Sequence, residues 1–536
     1  MASKNKPNFL LVMTDQHRAD HLGCYGNRII STPNIDSIAA NGLSYDKFYV
    51  SCPICMPNRA TMMTGRTPSI NGVLTNGLSL PWHSNTFVNV LKYSGYQTAL
   101  LGKSHLQNMI NYKVEDWNYP PRRAGVLPQT EFDDAYLNAR SGSRYENERL
   151  DLFASDPDRK VAIPYYGFDK VQFANGHGDA VGGHYTGWVN KQYNNFRDLL
   201  GPENQLPGND YIAPQTWRTA VPEELHSTSF VETSTIQYLE DYISSKTDKP
   251  FFVQTSFPDP HHPFVPPGRY WGMYEPGDCP IPGSLGVELN DPPPFQKELH
   301  KQLANGTRES RVAAYACNER EVRESTALTY GMISFVDDAI GRILVKLKEL
   351  GLDKNTVVIF TSDHGDLMGE HGLMLKHCFH NEGLIKVPFI WSDPYNPSNG
   401  ARTDILGGTI DIASTVIGRA GLSPYHGMQG FDVVGAFNNG TSLPRLGMYL
   451  EEDEIPFNAN CEHYLRTRTF VTERWRLTYW LEHEFGELYD RYNDPFELNN
   501  LWTDTNTAGE KALLLEMMMR ERFVLDEMAP KAEFCA

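Results

Sequence analysis

Two cysteines, Cys52 and Cys55, stand three residues apart, and the second is followed by Pro57 and Arg59. A zinc knuckle takes about four ligands, usually from two such pairs, and the sequence holds no second Cys-x-x-Cys. A thioredoxin-like redox pair opens a helix after the first strand of a small redox domain, a context this stretch does not match. The remaining chemistry is a single nucleophile at Cys55 prepared by its neighbours, set against the plain reading of two buried, inert thiols. Elsewhere, Asp15 and Asp363 each follow a short apolar run. Two carboxylates brought to one place repel each other, and a divalent cation removes that cost. Gly102-Lys103-Ser104 has the look of a P-loop end, but that motif requires a glycine where Gln97 stands, so a nucleotide loop is rejected.

The elements that must position these groups read as an α/β fold. Asn8 to Met13 is a buried strand that delivers Thr14, Asp15 and Gln16 at its C-terminal end. Gln97 to Leu101, Phe251 to Ser256, Val357 to Thr361 and Val387 to Trp391 repeat the pattern, and Thr32 to Gly42 reads as a short helix. Met332, Val336, Ile340, Ile343 and Leu347 keep helical spacing from Leu328 to Leu350, where Gly351 ends the helix. Helices alternating with apolar strands predict a mostly parallel central sheet flanked by helices. Such sheets bind ligands at the C-terminal edge of their strands, which is where Asp15 and Asp363 should emerge.

Residues 107–245 are rich in Tyr, Trp, Asn, Gly and Pro with weak periodicity, as expected of an irregular insert that walls a pocket. Within it, His177-Gly178-Asp179 and Gly182-Gly183-His184-Tyr185 either reach the pocket or form an ordinary hydrogen-bonded loop. Beyond residue 440, Arg468 to Leu481 and Gly486 to Asp490 read as antiparallel strands and Ala508 to Met528 as a closing helix. The division expected is a catalytic α/β domain over 1–440 and an α+β subdomain over 441–536.

Composition bounds the partners. Of 536 residues, 40% are hydrophobic and 21% charged, the range of globular proteins. A net charge of -18 leaves no basic surplus to neutralise nucleic-acid phosphates, though a small anion in a locally basic pocket is compatible with it. The first apolar run is five residues long, too short for a secretion signal, and no run approaches a membrane span. With eight scattered cysteines and no framework spacing, the expectation is a cytoplasmic protein without structural disulfides.

Cys55-Met56-Pro57-Asn58-Arg59 with Thr64-Gly65-Arg66 resembles the signature of the type I sulfatases of the alkaline phosphatase superfamily, in which the Cys-x-Pro-x-Arg cysteine is oxidised to formylglycine by a maturation enzyme. The resemblance runs along the chain. Gly102-Lys103-Ser104-His105 is similar to the family's Gly-Lys-x-His, Pro260-His261-His262-Pro263 to its Pro-His-x-Pro, and Thr361-Ser362-Asp363-His364-Gly365 to its second metal segment. Lys376 falls where the family places a second lysine, and Glu487-Leu488-Tyr489-Asp490 resembles its C-terminal signature.

The resemblance implies an alkaline-phosphatase-like fold and hydrolysis of small organic or aryl sulfate monoesters. It implies a formylglycine hydrate at position 55 as nucleophile, a sulfated enzyme intermediate, and one divalent metal ion held by Asp15, Gln16, position 55, Asp363 and His364. Many members carry a second aspartate where Gln16 stands and an asparagine where His364 stands. An imidazole ligand suits manganese or zinc better than the family's usual calcium. Arg59 would hold the nucleophile and metal shell, Lys103 and Lys376 would neutralise sulfate oxygens, His105 would take the proton from the spare hydroxyl, and His261 with Lys376 would protonate the leaving alcohol. Asn76 and His184 are candidate substrate contacts. A close rival is a phosphonate monoester or phosphodiester hydrolase with the same machinery, against which Lys103 and His105 weigh. A rival of another class is a metal-binding or redox protein using unmodified Cys52 and Cys55. Self-association through the aromatic insert or the C-terminal strands is compatible with the sequence.

Overall fold

The computed structural model describes residues 6–111, 140, 142–308, 313–454, 465–481 and 483–526. Eight strands form the central sheet: β1 (Asn8–Thr14), β2 (Leu43–Tyr45), β3 (Gln97–Gly102), β4 (Lys170–Phe173), β5 (Phe251–Ser256), β6 (Thr356–Ser362), β7 (Phe389–Ser392) and β8 (Ala401–Thr403). Their spatial order is β8-β2-β7-β6-β1-β5-β3-β4. Side chains of β1 alternate between two cores: Phe9, Leu11 and Met13 on one face, Leu10 and Val12 on the other. With both faces covered, the strand reads as an unbroken apolar run. On one face lie α1 (Pro33–Ala40), α3 (Ser227–Ser244) and the long α4 (Glu319–Glu349); on the other lies α2 (Cys55–Thr64).

All strands run parallel except β7, which is antiparallel to both β2 and β6. The reason is its connection. A parallel return needs a crossover to the far end of the sheet, whereas residues 363–388 contain no helix longer than Glu382–Ile385 and re-enter the sheet at the edge they left. The expected strands at Asn8, Gln97, Phe251 and Val357 form within a residue of their predicted bounds. The long helix begins nine residues before its expected start, because Asn318 and Glu321 cap it reciprocally and its first turns bury polar Glu321 and Glu324.

Among its described residues, the stretch expected to be irregular holds regular elements, β4 and α3 besides short helices at Leu150–Ser155 and His184–Asn190. β4 closes one edge of the sheet beside β3, and the 18-residue α3 packs Phe230, Val231, Tyr238 and Leu239 into the core. Interspersed Ser and Thr dilute the helical stripe of α3, which is why it escaped the periodicity. At the C-terminal end, β9 (Met448–Glu454), β10 (Leu465–Val471), β11 (Trp475–Trp480) and β12 (Gly486–Asp490) form an antiparallel sheet covered by α5 (Ala508–Leu525). The expected end of that helix, past residue 526, lies outside the described residues. Among the described residues no helix is long and apolar enough to cross a membrane.

Candidate active site

Register places the reactive groups. Thr14 pairs with Ser362 across β1 and β6, so Asp15 and Asp363 leave neighbouring parallel strands at the same edge. Gly102 pairs with Ser256 across β3 and β5, which puts Lys103 and the 257–263 loop at that edge too. Gly102 has φ +112°, and a Cβ there would lie 1.8 Å from the Ser256 carbonyl oxygen, so only glycine lets β3 turn to present Lys103. Cys55 opens α2, where helix N-terminal amides favour negative charge. Arg59, one turn further, lies beneath it.

Asp15, Cys55, Asp363 and His364 bring four buried donor atoms within 4.8 Å of one another. Donors so spaced suit one ion at coordination distances of about 2.0–2.6 Å. His364 Nδ1 lies 2.9 Å from the Gly365 carbonyl oxygen, to which it donates, so Nε2 faces the cluster and would offer its lone pair to an ion on losing its proton. The donor set therefore fits a divalent metal. Arg59 braces it, with Nε donating to Asp363 Oδ2 at 2.6 Å and Nη2 to Asp15 Oδ2 at 3.2 Å. Its Nη1 donates to the carbonyls of Lys103 (2.9 Å) and Ser104 (3.3 Å) and to Ser256 Oγ (3.2 Å).

The Cys55 sulfur stands where oxygens of a matured residue 55 would sit. Lys376 Nζ lies 3.0 Å from that sulfur, 3.1 Å from His364 Nε2 and 2.9 Å from His261 Nε2. Lys103 Nζ pairs with Asp15 and donates to His177 Nε2 at 2.7 Å. Burial by itself would raise the Asp15 carboxyl, but Lys103, Arg59, His364 and Lys376 hold it well below the usual range. Burial and Asp15 would likewise raise the Cys55 thiol; Lys376, His364 and Lys103 overcome them and pull it down. Burial pushes His261 well below the ordinary imidazole value, and His177 and Lys376 push it further, so it is neutral and able to accept from Lys376. Three cations, Arg59, Lys103 and Lys376, surround position 55, an arrangement suited to an anion.

Cys55, Arg59, Lys103, His261, Lys376, Asp15, Asp363 and His364 all converge here. Asn76 adjoins the site, its Oδ1 accepting from the Met56 N–H at 3.1 Å. Gln16 enters differently from expectation: its backbone N–H donates to Asp363 Oδ1 at 3.2 Å, while its side-chain amide is engaged by Asp366 and lies 2.9 Å from His262 Nδ1. His105 directs its backbone N–H to Glu148 at 2.8 Å, and among the described residues its ring makes no hydrogen bond to Cys55. His184 is turned elsewhere, with Nδ1 accepting from the Phe173 N–H at 2.9 Å and its ring packed between Phe153 and Phe173. The sequence reading assigned no role to His262 and missed Asp366 and Glu148. Asp366 follows Asp363-His364-Gly365 directly and was findable by proximity; Glu148 carries no local signal. Of the two insert motifs, His177 reaches the site and His184 does not. Cys52 is buried and free of any disulfide.

The sequence profile of the sulfatase family matches residues 7–422, and that of the N-sulphoglucosamine sulphohydrolase C-terminal region matches residues 369–523. The chain is 28% identical over 520 residues to an arylsulfatase of Clostridium perfringens, covering 96% of this chain and 94% of that protein. It is 24% identical over 518 residues to a choline-sulfatase of Rhizobium meliloti, covering 95% and 85%. In fold it is similar to the phosphonate monoester hydrolase of Agrobacterium radiobacter, with a TM-score of 0.74 at 24% identity over 97% of this chain and 96% of that one.

Proposed function

The chain belongs to the sulfatase family, and from that premise we propose that it hydrolyses small organic or aryl sulfate monoesters. Residue 55, matured from cysteine to formylglycine as in the family, supplies the nucleophilic oxygen, and a divalent ion acidifies it and neutralises sulfate oxygens when bound. Asp15, Asp363 and His364 would hold that ion, with position 55 completing the shell. The carboxylate and position-55 oxygens suit calcium or manganese, and the single imidazole nitrogen makes manganese a close alternative to the family's calcium.

This chain's own groups do the rest. Arg59 keeps both carboxylates oriented and offsets their mutual repulsion. Lys103 and Lys376 meet charge on the sulfate oxygens as it builds in the transition state. Lys376 Nζ and His261 Nε2, 2.9 Å apart, form the proton carrier for the departing alkoxide. The observation that carries this reading is the convergence of Lys376, His364 and Lys103 on position 55, the one residue with proline and arginine at maturation spacing. The names arylsulfatase and choline-sulfatase among the relatives support small sulfate esters as the substrate class.

The test is a panel of aryl sulfates, alkyl sulfates, phosphonate monoesters and phosphodiesters assayed on protein whose aldehyde content is fixed by peptide mass. Sulfate esters should give the highest kcat/KM. Turnover confined to the phosphorus esters, or activity in protein with unconverted Cys55, would overturn it.

A further inference from the structure

Lys103 Nζ carries three N–H donors and no acceptor, and two of its contacts are Asp15 and His177 Nε2. Asp15 would be engaged by a metal held at this site, and His177 would then be the neighbour that sets the direction of the ammonium. His177 also lies face to face with His261, ring centroids 3.6 Å apart and planes 16° from parallel. It thus touches two groups of the proposed mechanism at once while remaining half-buried, whereas Lys103 and His261 are buried.

The loop that carries it is tied on both sides. Asn175 accepts from the Ser104 N–H at 2.9 Å and donates to Glu148 at 2.9 Å, fastening the loop to the strand end that presents Lys103. Asp179 Oδ2 accepts from Trp217 Nε1 at 2.8 Å and Thr219 Oγ1 at 3.0 Å. Between them, Gly178 has φ +55°, and a Cβ there would come within 2.8 Å of Pro263, so the backbone can approach the His261-His262-Pro263 segment closely only because this residue is glycine. Such anchoring is what a positioning role requires.

We propose that His177 is a positioning residue of the hydrolytic reaction, with its Nε2 aiming Lys103 at the sulfate oxygens and its ring face fixing the imidazole of His261 toward the leaving group. The inference rests on the sulfatase reading above. To accept from an ammonium, Nε2 must be unprotonated. Burial, Lys103 and Lys376 hold the ring well below the ordinary imidazole range, which keeps it so.

Two substitutions separate the roles. His177→Phe keeps a ring against His261 and removes the acceptor. Losing a hydrogen bond to a charged group corresponds to about ten- to a hundredfold, and we expect that loss in kcat/KM to be equal for nitrophenyl and alkyl sulfates. It should fall below about twofold in a Lys103→Ala background, since a group acting through Lys103 has nothing left to act on. His177→Gln keeps an acceptor and removes the ring, so its loss should be greater for the alkyl sulfate, whose leaving group needs the proton. Calorimetric binding of inorganic sulfate should weaken in His177→Phe and be unaltered by the same change in Lys103→Ala protein. Additive losses in the Lys103 background, or identical leaving-group profiles for the two variants, would overturn the proposal. If His177→Phe does not fold, His177→Leu takes its place on the nitrophenyl sulfate alone, where loss of the ring against His261 should cost little, and its effect there should again fall below about twofold in Lys103→Ala protein. A wild-type preference for phosphonates would overturn the sulfatase reading instead, and the cycle run on that substrate would still judge His177.

Discussion

Asp363→Asn changes one atom type in a buried carboxylate whose oxygens are both committed. Oδ1 accepts from the backbone N–H groups of His364 at 2.9 Å and Gln16 at 3.2 Å, and Oδ2 accepts from Arg59 Nε at 2.6 Å. An amide has one acceptor end. If its oxygen faces the two backbone donors, its NH2 confronts Arg59; if it is flipped, its NH2 confronts both backbone N–H groups. A buried donor left unpaired costs about 1–3 kcal/mol. Depriving a buried guanidinium of a partner belongs to a class costing about 3–5 kcal/mol. The two effects overlap, so the expected destabilisation is about 3–5 kcal/mol, roughly a hundred- to several-thousandfold in the folding equilibrium. Relief of carboxylate repulsion does not offset this, because Arg59, Lys103 and Lys376 already surround the pair with positive charge. The assay is denaturant unfolding in chelator, followed by fluorescence and circular dichroism so that coincident transitions establish two-state behaviour. A calorimetric manganese and calcium titration runs beside it and should show affinity reduced at least tenfold by loss of a ligand charge. An Asp363→Asn protein that matched the wild type in chelator would refute the donor accounting, and unchanged ion affinity would refute the metal assignment.

Cys55→Ala should abolish turnover while Cys52→Ala retains most of it, since only Cys55 carries Pro57 and Arg59 at maturation spacing; equal losses in two folded variants would return the pair to redox or zinc chemistry. His261→Ala should slow an alkyl sulfate at least tenfold more than a nitrophenyl sulfate, as general-acid help of about 10²–10⁴ is needed only by a basic leaving group; a flat leaving-group dependence in steady-state kinetics would remove His261 from that role. Burial alone would raise the Glu452 carboxyl, yet His377, 3.6 Å away, and His380, whose Nε2 lies 2.8 Å from Oε2, hold it at about 2. Its folded value lies below the unfolded value of about 4.3, so its stabilisation is complete above that value and is lost as pH falls toward 2. Glu452→Gln should flatten the decline of stability over that window, and an unaltered slope in acid titrations of unfolding would show that Glu452 contributes nothing to it.

Much of the site was legible because its signals are local. A short apolar run followed by a carboxylate says both that a strand ends and that the group emerges at its C-terminal edge, which is how Asp15 and Asp363 could be paired from 348 residues apart. Cys55 and Arg59 lie one helical turn apart, so their cooperation is written in their spacing. Non-local contacts decided the rest. His177 and His184 belong to one insert and look alike in sequence, yet Asn175 fastens one to the Lys103 strand and the Phe173 amide captures the other. Gln16 follows Asp15 directly, but Asp366 and His262 take its side chain. β7 is as apolar as its neighbours and runs the opposite way because of where its connection re-enters the sheet. Periodicity and spacing record what a residue does to its own turn or strand, whereas the direction of a side chain in a loop depends on partners that only the closed sheet brings within hydrogen-bonding distance.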